Sequence, residues 1–387
     1  MSPVVLLLLA AAPPLTWSDA LARCDAAGDL AGLTAERDER RAGLSQLPSL
    51  TSNPQVLLQP GVRTEGGTTG PEGQLTVQQS FNLGGLGNVR REVVGAEADQ
   101  LDATWRLARQ SRRFAVAQAW LQLRAAERSV DLAHAEELAA ADLVTHLERA
   151  LGSGGATRVE LATARAFRAE AVALRLDWEG RRAEAGAELA RLLGLDDFVR
   201  TTGELPVFDA PSERRDGAEL PLKVLDAEAE TERKRMAESA AQWSPQLQLS
   251  VQAGHDAPSQ WFANAGVGLT LPVFERGNRE RTVHRAALSR LEAERELTRA
   301  RITLAIRLAE HEVEHTSELL KVLLEQQVPA AMEAAALETK RFAQGESTLF
   351  EVTVLRRQAL QGQLSAVAAE ANALSARFRL AELEVKP

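Results

Sequence analysis

The sequence predicts a mainly α-helical chain with a small β part, in which a long antiparallel helical hairpin and a β-hairpin each occur twice, two β-hairpins in all. Three observations carry that prediction. Pro54-Gln55-Val56 recurs as Pro245-Gln246-Leu247, and Gly154, Thr157, Glu160 and Arg165 recur as Gly345, Thr348, Glu351 and Arg356, both at an offset of 191 residues. Self-similarity at one fixed offset marks an internal duplication. Asn88 to Leu151 holds no proline and a single glycine, Gly95, and would form helix on the order of 95 Å long. Gln246 to Ala253 alternates strictly between Leu247, Leu249, Val251, Ala253 and Gln246, Gln248, Ser250, Gln252, the period-two pattern of a strand with unlike faces.

In chain order, residues 1–14 read as a signal peptide. Val4 to Ala12 is an apolar run of signal-core length, ending in the small residues Ala10-Ala11-Ala12 and followed by Pro13-Pro14. No apolar run reaches the 18 or so residues of a transmembrane helix. Residues 15–195 form the first repeat: a helical stretch from Ser18 to Gly43, a hairpin over 54–83, then long helices over 88–193. Residues 196–220, with Pro206 and Pro211, connect the copies. Residues 221–387 repeat the order, with a helix from Pro221 to Trp243, a hairpin over 245–274 and long helices over 278–383. Pro329 is expected to kink the first of these, because it removes one helical hydrogen bond and crowds the carbonyl four residues back.

Composition narrows the function. With 45 Lys+Arg against 54 Asp+Glu the net charge is −9, which disfavours a nucleic-acid binder. A single cysteine, Cys24, excludes an internal disulfide and any cysteine-based metal cluster. No phosphate loop or nucleophile–base set is present, and no cofactor is expected. The Ala-rich helices need antiparallel partners to be stable at such lengths. Strands that are apolar on one face and Gln/Gly/Ser/Thr on the other suit either a soluble sheet with one wet face or a lipid-facing, water-lined barrel. Aromatics stand at their ends: Phe81, Trp243, Trp261, Phe262 and Phe274, where a membrane-interface girdle would lie. Four strands cannot close a barrel, and open edges do not survive in lipid. A cyclic trimer would supply twelve strands.

This layout resembles the TolC family of outer-membrane efflux proteins over nearly the whole chain, from about Trp17 to Leu383. The resemblance rests on the duplicated helix–hairpin–helix–helix order, on the hairpin ends Gln79-Ser80-Phe81 and Leu271-Pro272-Val273-Phe274-Glu275-Arg276, and on the turns Gly154-Gly155-Ala156-Thr157-Arg158-Val159-Glu160-Leu161 and Gly345-Glu346-Ser347-Thr348-Leu349-Phe350-Glu351-Val352. It implies a homotrimer in the outer membrane, with a transmembrane β-barrel continued by an α-helical barrel through the periplasm. It implies no enzymatic activity, and as partners lipid, a periplasmic adaptor and an inner-membrane pump of the resistance-nodulation-division type. Gly154, Thr157, Glu160, Gly345, Thr348 and Glu351 would then lie at the periplasmic entrance where the adaptor docks. The same residues are also a helix-capping set: glycine for the turn, threonine as N-cap, glutamate closing a capping box. Phe274-Glu275-Arg276-Gly277-Asn278 and Asn88-Val89-Arg90-Arg91 look more like the cobalt–zinc–cadmium branch than the drug-efflux branch.

Two other readings compete. A periplasmic adaptor also contains long helical hairpins, but one rather than a duplicated pair. His311-Glu312-Val313-Glu314-His315 matches the H-E-x-x-H pattern of a zinc hydrolase, in which two histidines share a helix face and the glutamate acts as base. It lies within an amphipathic helix, without a third ligand or a cleft in sight, and a solvated charged face accounts for it.

Overall fold

The computed structural model describes residues 14–24, 28–47, 52–65, 67–208, 217–256 and 260–383. The expected signal peptide, apart from Pro14, and part of the connecting segment lie outside them. The chain folds as α1 (Trp17–Cys24), α2 (Gly28–Gln46), β1 (Gln55–Glu65), β2 (Thr68–Asn82), α3 (Leu86–Gly152), α4 (Arg158–Leu193), α5 (Leu220–Gln242), β3 (Gln246–Asp256), β4 (Gln260–Thr270), α6 (Asn278–Val322), α7 (Val328–Ala343) and α8 (Leu349–Leu383). It divides into two compact units, and each repeat contributes to both. One comprises residues 32–106 and 220–300, the other residues 1–31, 107–219 and 301–387.

The first unit is built on one antiparallel sheet in the order β1-β2-β3-β4. The two hairpins are therefore fused: β2 of the first repeat pairs with β3 of the second, from Gly73↔His255 to Asn82↔Gln246. Partnered residues lie on one face, so the register sets Val56, Leu58 and Val62 of β1 beside Leu75, Val77 and Phe81 of β2, Leu247, Leu249 and Val251 of β3, and Trp261, Val267 and Leu269 of β4. The reverse face carries Gln55, Gln59, Gln74, Thr76, Gln78, Gln248, Ser250, Gln252 and Asn264. Leu57 and Phe262 are its large apolar members. The apolar face is uncovered: Val56, Leu58, Val62 and Val267 are each about two-thirds or more exposed.

Several boundaries differ from expectation, each for a local reason. The stretch read as one helix from Ser18 to Gly43 is two helices. The strands of the first hairpin extend to Glu65 and from Thr68, into the Gly/Thr-rich stretch between them, because cross-strand pairing continues to Glu65↔Thr68. Pro71 is tolerated because it lies beyond the span paired with β3, and Pro60 because β1 is an edge. Leu271 to Phe274 falls outside β4, since Gln246 begins β3 and pairs with Thr270, which leaves nothing further for β4 to bond. The glycines opening the long helices are Gly85 (φ +67°) and Gly277 (φ +68°). A Cβ on Gly277 would also meet the Trp243 ring at 2.4 Å, and the indole N–H of Trp243 donates to Glu280 at 3.1 Å. Trp243 thus locks the start of α6.

The second unit packs α3, α4, α6, α7 and α8. At one end, Leu15 bridges Thr201, and the buried Trp120 donates its indole N–H to the Leu15 carbonyl at 3.1 Å. Trp17 meets Trp120 and Phe378 edge-on at 5.5 and 5.4 Å. Cys24 is fully buried in this core. Ahead of Pro329 a single π turn, Leu323–Gln327, separates α6 from α7. The widened turn relieves the clash that proline imposes on the preceding ladder.

Gly277→Ala should lower the stability of the folded protein by about 1–3 kcal/mol, from positive-φ strain and the clash with Trp243. Gly95→Ala, at a mid-helix position with nothing within 4 Å of the new Cβ, should instead raise it by about 0.5–1 kcal/mol. Thermal unfolding of the two variants side by side checks both signs.

Candidate functional site: the paired helix turns and the uncovered sheet

The two turns that return α3 into α4 and α7 into α8 are built alike. Gly154 (φ +79°) and Gly345 (φ +77°) take the left-handed conformation. The following N–H groups close back over five residues, Gly155 to the Ala150 carbonyl at 2.7 Å and Glu346 to the Arg341 carbonyl at 2.9 Å, the Schellman closure of a helix end. Thr157 then caps α4: Glu160 N–H donates to Thr157 Oγ1 at 3.1 Å and Thr157 N–H to Glu160 Oε2 at 2.7 Å. In the second turn Thr348 N–H donates to Glu351 Oε2 at 2.9 Å, and Glu351 N–H to Thr348 Oγ1 at 3.4 Å. Those bonds favour the charged carboxylates. The Thr157 backbone holds the pKa of Glu160, and the Thr348 backbone that of Glu351, below the ordinary value.

Leu349, at the start of α8, is buried against Val144, Leu147, Leu161 and Ala164 of the first hairpin. That contact brings the two turns to one end of the unit. Arg165 and Arg356, duplicated in the sequence, both reach α3: Arg165 to Glu148 at 2.8 Å, and Arg356 to Glu136 through two nitrogens at 3.0 and 2.9 Å. The turns differ in one respect. Ser347 bonds Glu338, which Arg341 also grips at 3.0 Å, whereas the equivalent positions of the first turn are Ala156, Leu147 and Ala150. Sequence reasoning missed Val159 and Phe350. These are exposed by 74 % and 69 %, occupy equivalent positions in the two repeats, and stand on the solvent side of the capped first turns. The repeat offset alone would have found them.

In the sheet unit the aromatics are split. Trp261 lies on the apolar face near one end of β4 and packs edge-on to His255 at 5.1 Å. Phe81 lies on the same face at the far end, paired with Leu247, and Phe274, just past β4, is fully exposed. Trp243 is half-buried at the start of α6 and serves that junction. Phe262 lies on the polar face, where its ring fills the space over Gly254 and would collide with a Cβ there at 2.5 Å. It therefore belongs to the polar side rather than to an aromatic girdle. Gly254 and Phe262 form a cross-strand pair in which the ring covers the glycine backbone.

The H-E-x-x-H segment is an exposed stretch of α6. Glu312, which would act as base, faces Arg379 at 3.4 Å. Among the described residues no group of three or more His, Cys, Asp or Glu side chains is arranged to hold a metal ion. No described helix is long and apolar enough to cross a membrane.

The fold is that of the TolC-like outer-membrane channels, long helical hairpins joined to a small antiparallel sheet. Residues 215–383 match the family described as outer membrane efflux protein. A membrane protein from Pseudomonas aeruginosa superposes with a TM-score of 0.79 at 16% identity, covering 95% of this chain and 93% of that one. The open-state MtrE outer membrane channel of Neisseria gonorrhoeae gives a TM-score of 0.75 at 15% identity, with 95% and 88% covered. VceC, an outer membrane protein of Vibrio cholerae, gives 0.67 at 19% identity, with 94% of each chain covered. No curated protein matches the chain in sequence.

The capping boxes set a pH response. Because the folded-state pKa values of Glu160 and Glu351 lie below the ordinary 4.5, their contribution is present above that value and is lost as pH falls from it through the lowered one. Amide exchange in the first turns of α4 and α8 should quicken selectively below pH 4.5. Thr157→Ala with Thr348→Ala should quicken it at neutral pH, at a cost of about 0.5–2 kcal/mol per cap.

Proposed function

We propose that the chain is the outer-membrane channel of a tripartite efflux system, a passive export duct and not an enzyme. The carrying observation is the four-stranded sheet, amphipathic across its whole width, with its apolar face bare and its outer strands β1 and β4 each paired on one side only. Strands β1, β3 and β4 are each 11 residues long, which suits the 9–11 or so residues of a tilted membrane strand. Three copies joined β1 to β4 make a closed twelve-stranded barrel with the Gln/Ser/Thr face towards water and the Leu/Val face towards lipid. Trp261 at one end, and Phe81 and Phe274 at the other, border the lipid band. The helices continue the duct into the periplasm. The match of residues 215–383 to the outer membrane efflux protein family and the likeness to the bacterial channels support this reading.

The paired turns are the docking end for a periplasmic adaptor, itself coupled to an inner-membrane pump of the resistance-nodulation-division type. Gly154, Gly345 and the two capping boxes shape each turn, and Val159 and Phe350 offer the apolar contact. Metal cations are the cargo class favoured by Phe274-Glu275-Arg276-Gly277-Asn278 and Asn88-Val89-Arg90-Arg91. Val159→Asp with Phe350→Asp should cut efflux through the assembled system roughly tenfold or more, as expected when interface anchors are lost. Membrane insertion and trimer content should be unchanged. Unimpaired efflux in that double variant would remove the docking role of the turns.

A further inference from the structure

The duplication exposes a difference on the long helices that the duct reading does not use. In the first repeat, Trp120 and Arg124 occupy a stripe of α3 that the N-terminal segment (at Leu15) and the connecting segment (at Gly203) cover. Trp120 is wholly buried and bonded to Leu15, and Arg124 donates to the Gly203 carbonyl at 3.2 Å. The equivalent stripe of α6, 191 residues on, carries His311 and His315 instead. Both histidines are exposed. Their rings face one another, nearly parallel at 21° with centroids 6.2 Å apart. Glu312, between them in sequence, is turned aside to Arg379. The other histidines with charged neighbours are differently placed: His284 bonds Glu232 at 2.7 Å and His134 lies 3.7 Å from Glu137.

We propose that His311 and His315 form a two-imidazole chelate for a divalent transition-metal ion of the zinc, nickel or copper class. Histidines four apart on a helix share a face, and imidazole is the nitrogen donor these ions prefer. A zinc–nitrogen bond is about 2.0–2.1 Å, so two nitrogens sharing one ion must come closer than these ring centres now are. Both rings are at the surface of a regular helix, and rotation about their side-chain torsions closes the gap without disturbing the core. The helix fixes the backbone spacing in advance, which limits the ordering cost of binding. Two protein ligands leave the remaining positions of the ion to water, the open coordination of an exchangeable site and not of a structural one.

The inference stands apart from the export reading, because it concerns the purified protein and not transport. Full-length protein in detergent, stripped of metal, is titrated with Zn²⁺ and separately with Ni²⁺ by calorimetry at neutral pH. The expected result is one saturable equivalent per chain, lost in His311→Ala and in His315→Ala alike. His315→Ala placed beside His134→Ala tests the assignment, since His134→Ala should bind as the parent does. Circular dichroism and native mass of each variant establish that the fold is retained. Absence of a saturable equivalent in the parent, or its survival in either substitution at positions 311 and 315, overturns the proposal. Either result leaves the channel reading where it stood.

Discussion

The rest of the structure depends on hydrogen-bond closure at the edges of one small sheet. In hydrocarbon, each unpaired backbone N–H or carbonyl costs several kcal/mol, so a sheet with two free edges and a bare apolar face cannot enter a membrane alone. The chain supplies four strands by pairing β2 of the first repeat with β3 of the second. That single junction turns two hairpins into one continuous four-stranded sheet. It also places β1 and β4 outermost, each with one edge free. On the proposed channel reading, identical segments joined edge to edge would close a ring, and the ring would remove the edges.

The helical parts answer a second constraint. Helices as long as α3 need neighbours along their length, and Ala-rich faces allow close approach. Cross-links such as Arg356–Glu136 and Arg175–Glu137 tie α8 and α4 to α3 at their surfaces. These pairs are partly buried and fix which helix faces meet. The buried contributions come from Trp120, Trp17 and Phe378 at one end and from Leu349, Leu147 and Leu161 at the other. The capped turns end the helices where the chain must reverse. The π turn before Pro329 belongs to the second repeat alone; the first has an unbroken α3.

Much of this was legible in the residues. The duplication, the alternating strands, the glycine–threonine–glutamate turns and the disturbance at Pro329 are local or periodic signals, and such signals survive translation into structure. The features that were not legible are non-local. Pairing of β2 with β3 joins residues far apart in the chain, and no pattern within either strand announces its neighbour. The strand ends followed from that pairing: β4 stops at Thr270 because β3 has no residue to offer beyond Gln246, although Leu271 and Val273 continue the alternation. Phe262 looked like a girdle residue by proximity to Trp261, but adjacent strand residues face opposite ways. Trp120 and His311 occupy equivalent positions with opposite burial, because the N-terminal segment covers one and not the other. That outcome depends on tertiary packing and could not be read from the helix pattern.

The central claim, that free sheet edges are satisfied by two further copies of the same chain, is tested most directly by the native mass of the protein extracted from membranes in detergent, corrected for bound detergent. The account predicts three times the 41.9 kDa chain, less any leader removed on export. A monomer that stays in solution without detergent would contradict it, because the bare Leu/Val face and the free edges of β1 and β4 would then have no lipid and no neighbour to meet.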